Sequence, residues 1–254
     1  MTGPMLSKSK NNRTWSRLRP ASMLKICFWS ICLLASGVSV TVFALQGKEE
    51  PELRQALNKM DQIAKTFRTF SADFYQKKYT AVLEEFDIPE TGKFYYSKAR
   101  NGSVLMRHQI MSPGDRILTI KAGEAILFNR AVKQAQIKEL GKSQELAEYL
   151  TLGVGQSSAK LQEKFDISYG GSESINGDAC TILVLKPKEA KVKRYLTSIT
   201  IWIKKSSGLP AQYKFLEPSQ DYMLETFSGE KLNEKIPDSM FEQKLPKDVQ
   251  KIKL

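Results

Sequence analysis

The sequence has very little of the residue chemistry that catalysis draws on. One of its 254 residues is histidine and three are cysteine. A single imidazole excludes multi-histidine metal centres and leaves any Ser-His-Asp arrangement dependent on that one residue. His108 shares a face with Val104, Met106 and Ile110 in a stretch of alternating residues, which is the setting of a structural histidine rather than a general base. Cys27 and Cys32 lie in an apolar N-terminal stretch, and neither follows the small-residue pair that lipid attachment needs. Cys180 then stands alone between Ala179 and Thr181, so the remainder of the chain has no internal disulfide and this thiol is expected to be a small core residue.

Other signatures are equally scarce. The glycine pairs Gly153/Gly155 and Gly170/Gly171 lack the strand-loop-helix setting of a phosphate cradle and read as turns. Glu84 and Glu85 sit in a loop-like stretch and read as solvated surface. No basic run is interleaved with aromatics, so nucleic acid is not an expected partner. The sequence thus predicts no catalytic residues, no metal and no cofactor, and His108 alone would support an esterase or lipid-modifying alternative.

What the chain does carry begins at its N-terminus. Lys8, Lys10, Arg13, Arg17, Arg19 and Lys25 precede an uncharged stretch over 26–45, with no acid among them. That order is a secretory signal with a cleavage site at Val42-Phe43-Ala44, or alternatively a retained membrane anchor, since about 20 apolar residues also span a bilayer. Residues 1–44 are therefore expected to be signal or anchor, and 45–254 a single exported domain. Removing the six leading cations lowers the basic count from 39 to 33 against 27 acids, a net charge of +6 that suits solubility.

Within that domain Glu49, Glu50, Pro51 and Glu52 suit the first turn of a helix. Leu53, Leu57, Met60, Ile63 and Phe67 then repeat at three- and four-residue spacing, an amphipathic stripe that must lie on something apolar. From Phe70 the period changes to two, and Phe70, Ala72 and Phe74 alternate with Ser71, Asp73 and Tyr75. Further strands are predicted over 92–97, 103–110, 116–121, 124–130 and 133–139, with turns at Asn101-Gly102, Pro113-Gly114 and Ala122-Gly123. A helical patch at 143–152 follows, then strands over 165–169, 179–186, 196–204, 211–217 and 222–227, and a short turn around 238–243. Some ten or eleven strands without βαβ alternation or a dividing linker give an α+β, mainly β domain. Its antiparallel sheet must curve, and helices would close it over an apolar cavity.

This order of pieces resembles a known family, the LolA-type periplasmic carriers of outer-membrane lipoproteins, over roughly 53–249. The similar stretches are Phe67-Arg-Thr-Phe-Ser-Ala-Asp-Phe-Tyr-Gln76, Gly92-Lys-Phe-Tyr-Tyr96 and Ile175-Asn-Gly-Asp-Ala-Cys-Thr-Ile-Leu-Val-Leu-Lys-Pro187. They also include Ile199-Thr-Ile-Trp-Ile-Lys-Lys205 followed by Gly208-Leu209-Pro210, and the closing Lys244-Leu-Pro-Lys-Asp-Val249. The resemblance implies an incomplete β-barrel with helices closing its concave side. It implies a periplasmic, monomeric, non-enzymatic carrier that takes lipoprotein acyl chains, or another lipid, from an inner-membrane transporter to an outer-membrane acceptor. An anchored envelope protein of the same fold, serving as adaptor or regulator, is the alternative. Alternation nominates Leu57, Met60, Ile63 and Phe67 on the helix and Phe74, Phe94, Tyr96, Met106, Ile199, Ile201 and Phe215 on the sheet as cavity lining. The family's cargo-release arginine falls near Lys98 or Arg100. The loop over 78–90 departs from the family pattern.

Overall fold

The apolar stripe and the abrupt change of period at Phe67–Phe70 dictate the first two elements, and the computed structural model, which describes residues 40–99, 103–140 and 153–254, shows both. Helix α1 (Val40–Thr66) buries Ala56 and Met60 and sets Leu53, Leu57 and Ile63 against the same core. It starts well upstream of the acids expected to open it, and Pro51 lies inside it. An interior proline removes one backbone hydrogen bond, so local chemistry gave no reason to carry the helix past it. At the other end Lys65 suits the last turn. Asn233 closes that end: its side-chain oxygen accepts from the Arg68 N–H at 2.7 Å and its amide donates to the Thr66 carbonyl at 3.2 Å.

The strands follow as β1 (Thr69–Thr80), β2 (Glu85–Phe86), β3 (Glu90–Lys98), β4 (Val104–Ser112), β5 (Arg116–Lys121), β6 (Glu124–Asn129) and β7 (Gln134–Glu139). After α2 (Ser158–Lys164) come β8 (Phe165–Ile175), β9 (Asp178–Pro187), the short α3 (Ala190–Lys193), β10 (Ser198–Lys204), β11 (Pro210–Leu216) and β12 (Tyr222–Leu232). A 3-10 turn (Asp238–Phe241) and β13 (Gln250–Lys253) complete the chain. Among the described residues all thirteen strands belong to one sheet, in the order β13-β7-β6-β5-β4-β3-β1-β12-β11-β10-β9-β8, with β2 paired to β1 off that path. Neighbours are antiparallel except β13 and β7, which run parallel. The terminal strands β13 and β8 do not meet, so the curved sheet is open, an incomplete barrel.

Several sequence expectations are corrected. Gly170 and Gly171 do not turn the chain: β8 runs through them with a shift of register between Tyr169 and Gly171. A side chain at Gly170 would lie 2.8 Å from both Ile182 and Val184, so glycine serves close packing there. The turn comes later, at Asn176 and Gly177, where both φ values are positive, 51° and 87°. Helices α2 and α3 and the strands β2 and β13 were not foreseen. The helical patch predicted over 143–152, the turn at Asn101-Gly102 and residues 1–39 lie outside the described residues.

The sheet has two apolar faces. The inner one carries Phe70, Phe94, Met106, Leu183, Ile199, Ile201 and Phe227 together with the buried side of α1. On the outer one, Ile117 and Phe128 are covered by the C-terminal tail, where Phe241 and Val249 are buried. The tail is tied down by Arg107, which donates to the Met240 carbonyl at 3.3 Å, and by Thr119 and Gln243 at 3.3 Å. On the inner face, Ala56 and Met60 of α1 join the same buried cluster as the sheet residues.

Candidate functional site

Strand alternation points Phe74 of β1, Phe94 and Tyr96 of β3, Met106 of β4, Ile199 and Ile201 of β10 and Phe215 of β11 to the inner face. They join Leu57, Met60, Ile63 and Phe67 of the α1 segment in one apolar cluster. All eleven residues nominated from the sequence are therefore brought together; Leu57, Ile63 and Phe215 are partly buried and the rest are buried. The aromatics interlock: Phe67 stacks on Tyr96 at 5.0 Å, and Phe227 lies edge-on to Phe70 at 5.9 Å and to Tyr213 at 5.6 Å. Val154, between two glycines of positive φ, is also buried in this cluster. Of the two basic candidates, Lys98 is exposed at the end of β3 and Arg100 lies outside the described residues.

Polar contacts fasten α1 along its length. The Glu52 carboxylate accepts from the Tyr169 hydroxyl at 2.7 Å, from the Ser172 hydroxyl at 2.8 Å and from the Lys205 ammonium at 3.3 Å. The Tyr169 and Ser172 hydrogen bonds, with the Lys205 charge, hold the carboxyl at a pKa of about 2. The Lys59 ammonium donates to the Lys205 and Ser206 carbonyls in the turn between β10 and β11. Asp61 accepts from the backbone N–H and hydroxyl of Ser158 at 2.6 and 2.7 Å, at the start of α2. An apolar stripe held down by polar fastenings is a cover that water can compete for at its edges while its centre stays dry.

One polar pair interrupts the inner face. His108 Nε2 lies 3.2 Å from Glu225 Oε1, and the imidazole stacks on Phe74 at 4.1 Å with 18° between the rings. A side chain at Gly92 would run into the Gln109 carbonyl and lie 2.7 Å from the Phe74 ring, so glycine is required beside this stack. Tyr213, directly across from Glu225 in the β11–β12 ladder, has its hydroxyl pushed well up in pKa, first by burial and then by the Glu225 charge. The pair is 117 residues apart in sequence, and no local pattern could have joined it. The same holds for Glu52 and Asp61, whose partners lie on distant elements.

His108 keeps an aromatic on one side and a carboxylate on the other, the surroundings of a packed histidine. Burial also pushes the Cys180 thiol up in pKa, and its sulfur donates to the Asp178 carbonyl at 3.3 Å. No group of acids, histidines and cysteines among the described residues is arranged to hold a metal. No described helix is long and apolar enough to cross a membrane.

Over residues 65–244, more than half of the chain, the sequence matches the family described as outer membrane lipoprotein carrier protein LolA. The chain belongs to the LolA family. Its fold is thus that of a family of lipid and lipoprotein carriers. Among solved structures it is similar to an uncharacterised conserved protein from Thermus thermophilus, at 12% identity and a TM-score of 0.50, covering 80% of this chain and 99% of that one. It is also similar to MucB, at 13% identity and a TM-score of 0.46, covering 75% of this chain but 62% of MucB. A third is the lipoprotein LppX of Mycobacterium tuberculosis, at 16% identity and a TM-score of 0.42, covering 74% of this chain and 96% of that one. These likenesses are of fold. No curated protein sequence matches the chain.

Proposed function

We propose that residues 45–254 form an exported, periplasmic carrier that shelters lipoprotein acyl chains between α1 and the inner face of the sheet. In this reading the protein acts as a non-enzymatic monomer and moves its cargo from an inner-membrane transporter to an outer-membrane acceptor. One observation carries the reading: the buried stripe of α1 and the inner face of an open sheet form a single apolar cluster, while the contacts that hold α1 in place at its edges are polar. Each acyl methylene removed from water contributes about 0.8 kcal/mol, so a bound chain could replace the apolar contacts α1 gives up. Membership of the LolA family supports the lipoprotein cargo. The N-terminal cations and the apolar stretch over 26–45 support export.

The test is lipid identification. Protein isolated from the exported compartment under native conditions is expected to release acylated peptide or lipid on denaturation, detected by mass spectrometry. Depleting the protein in its host is expected to leave lipoproteins in the inner membrane. Repeated isolation of lipid-free protein, with lipoproteins sorted normally after depletion, would refute the proposal.

A further inference from the structure

Strand register fixes which connections share an end of the sheet. Tyr79 of β1 pairs with Tyr222 of β12, Thr91 of β3 with Ser112 of β4, Asn129 of β6 with Gln134 of β7, and Phe165 of β8 with Pro187 of β9. The loop 81–89, the turn 130–133, the segment 188–197 and the turn 217–221 therefore lie along one rim, at the end of β1 away from its junction with α1. On this rim stand Val82, Leu83, Ile88, Met111, Val132 and Tyr195, each between 55% and 87% exposed. Apart from Leu254 at the C-terminus, they are all the described large apolar side chains that are more than half exposed. The turns at the opposite end, 122–123, 176–177 and 205–208, carry none.

The most prominent of these connections is built to project. Tyr79 and Tyr222 stack at 4.9 Å, and Phe86 packs edge-on against them at 5.2 and 5.9 Å. The Lys77 ammonium lies 4.2 Å over the Phe86 ring, and the Ala81 N–H donates to the Asp221 carboxylate at 2.8 Å. These contacts secure the base of the loop 81–89 and leave Val82 and Leu83 at its tip in water. Exposed apolar area of this kind is unfavourable unless something covers it.

Charge and distribution indicate what that is. The segment 186–194 carries Lys186, Lys188, Lys191, Lys193 and Arg194, of which Lys188 pairs with Asp166 at 3.7 Å and Lys191 with Glu189 at 3.2 Å, and it ends beside the exposed Tyr195. Val82, Leu83 and Ile88 share the loop 81–89, Met111 lies near the end of β4, and Val132 and Tyr195 stand on two further connections, so the apolar area is spread along the rim and not gathered into the contiguous core a protein interface would need. Apolar tips sharing a rim with a basic segment and an amphipathic tyrosine fit a bilayer interface, whose acyl boundary accepts side chains without directional demands. Glu84, Glu85 and Asp87, with Asp115, Glu217 and Asp221 on the same rim, work against the attraction, so insertion and charge must act together. We propose that this rim docks on an anionic lipid bilayer, with Val82, Leu83 and Ile88 entering the acyl boundary and the basic segment 186–194 on the headgroups.

The proposal goes beyond the carrier function, and a vesicle assay reads it whether or not acyl cargo is found. In the exported protein, with Cys27 and Cys32 replaced by serine in the gene, an environment-sensitive fluorophore is attached at Ile88→Cys, at Tyr195→Cys or, on the opposite rim, at Glu124→Cys. Vesicles of phosphatidylglycerol mixed with phosphatidylcholine are expected to raise and blue-shift the emission at Ile88 and Tyr195 but not at Glu124, and phosphatidylcholine alone to do far less. Ile88→Ser is expected to lower the partition coefficient about tenfold, and Lys193→Gln and Arg194→Gln about fivefold each at low salt. Emission at Ile88 and Tyr195 that ignores vesicles, or an equal response at Glu124, overturns the proposal. So does a partition coefficient unaffected by these substitutions.

Discussion

Phe67 occupies the space into which a side chain on Gly155 would point: a Cβ there would lie 2.3 Å from the aromatic ring. Gly155 also holds a φ of +66°, a conformation that L side chains rarely adopt. Since Phe67 in turn stacks on Tyr96 at 5.0 Å, this glycine sets how closely the end of the covering segment approaches β3. Gly155→Ala is therefore expected to displace Phe67 and cost about 3 kcal/mol from backbone strain and overpacking together. Denaturant unfolding gives the cost, and loss of protection at amides of α1 in hydrogen exchange shows where it falls. Unchanged stability would mean that Phe67 can move aside freely.

Met60 is almost fully buried where α1 meets the core, and Met60→Ala is expected to destabilise the ligand-free protein by about 3 kcal/mol through lost contacts and the void left behind. The midpoint of chemical denaturation checks it. A loss below about 1 kcal/mol would show that the helix contributes little to the core in its present position.

Acid should release the N-terminal part of α1. The folded-state pKa of Glu52, about 2, is depressed below its ordinary value of 4.5, so the unfolded state takes up a proton first as pH falls. The stabilisation is fully present above about pH 4.5 and is lost as pH descends toward 2. In Glu52→Gln that acid-dependent part should be missing. A carboxyl NMR titration of Glu52, run alongside hydrogen exchange of α1, follows both; a midpoint near 4.5 in the folded protein would contradict the bonding to Tyr169, Ser172 and Lys205.

The His108–Glu225 pair should matter more to stability than to transport. His108→Leu leaves a carboxylate on an apolar face without its partner, at a cost of about 3 kcal/mol. The double variant His108→Leu with Glu225→Leu should recover most of that loss, as denaturation of all four forms in a double-mutant cycle would reveal. The conservative His108→Gln should retain cargo binding. Its abolition in a folded His108→Gln protein would reopen a chemical role for the imidazole.

Much of the framework was legible because it depends on local periodicity. The change from a stripe at Leu57, Met60 and Ile63 to alternation at Phe70, Ala72 and Phe74 located the α1–β1 junction, and β5 was read to its end residues. Helix α2 also had a local signal: Ser157 caps it by accepting from the Lys160 N–H, and Leu161 and Phe165 recur at helical spacing. By contrast, β13 is a polar tetrapeptide that exists because β7 offers it an edge, a pairing no nearby residue announces. Gly170 and Gly171 show the limit of residue type as a signal, since a turn and a bulge demand the same pair and only the packing of Ile182 and Val184 distinguishes them. Helical spacing and strand alternation place the eleven nominated apolar residues in one cluster, which also holds Phe70, Leu183, Tyr213 and Phe227. The polar members of the candidate site had no such local signal, because Glu52, Asp61, His108 and Glu225 are defined by partners far away in the chain.

Only Phe67 and Arg68 separate α1 from β1, and Asn233 grips the backbone on both sides of that link. At about 1.5 Å per residue the 27-residue helix spans some 40 Å, and with the contacts of Glu52, Lys59 and Asp61 released it would swing as an arm about this one joint. A rotation of roughly 10° at the joint would carry the far tip about 7 Å, so a small backbone adjustment beside one amide becomes a broad sweep over the hydrophobic floor.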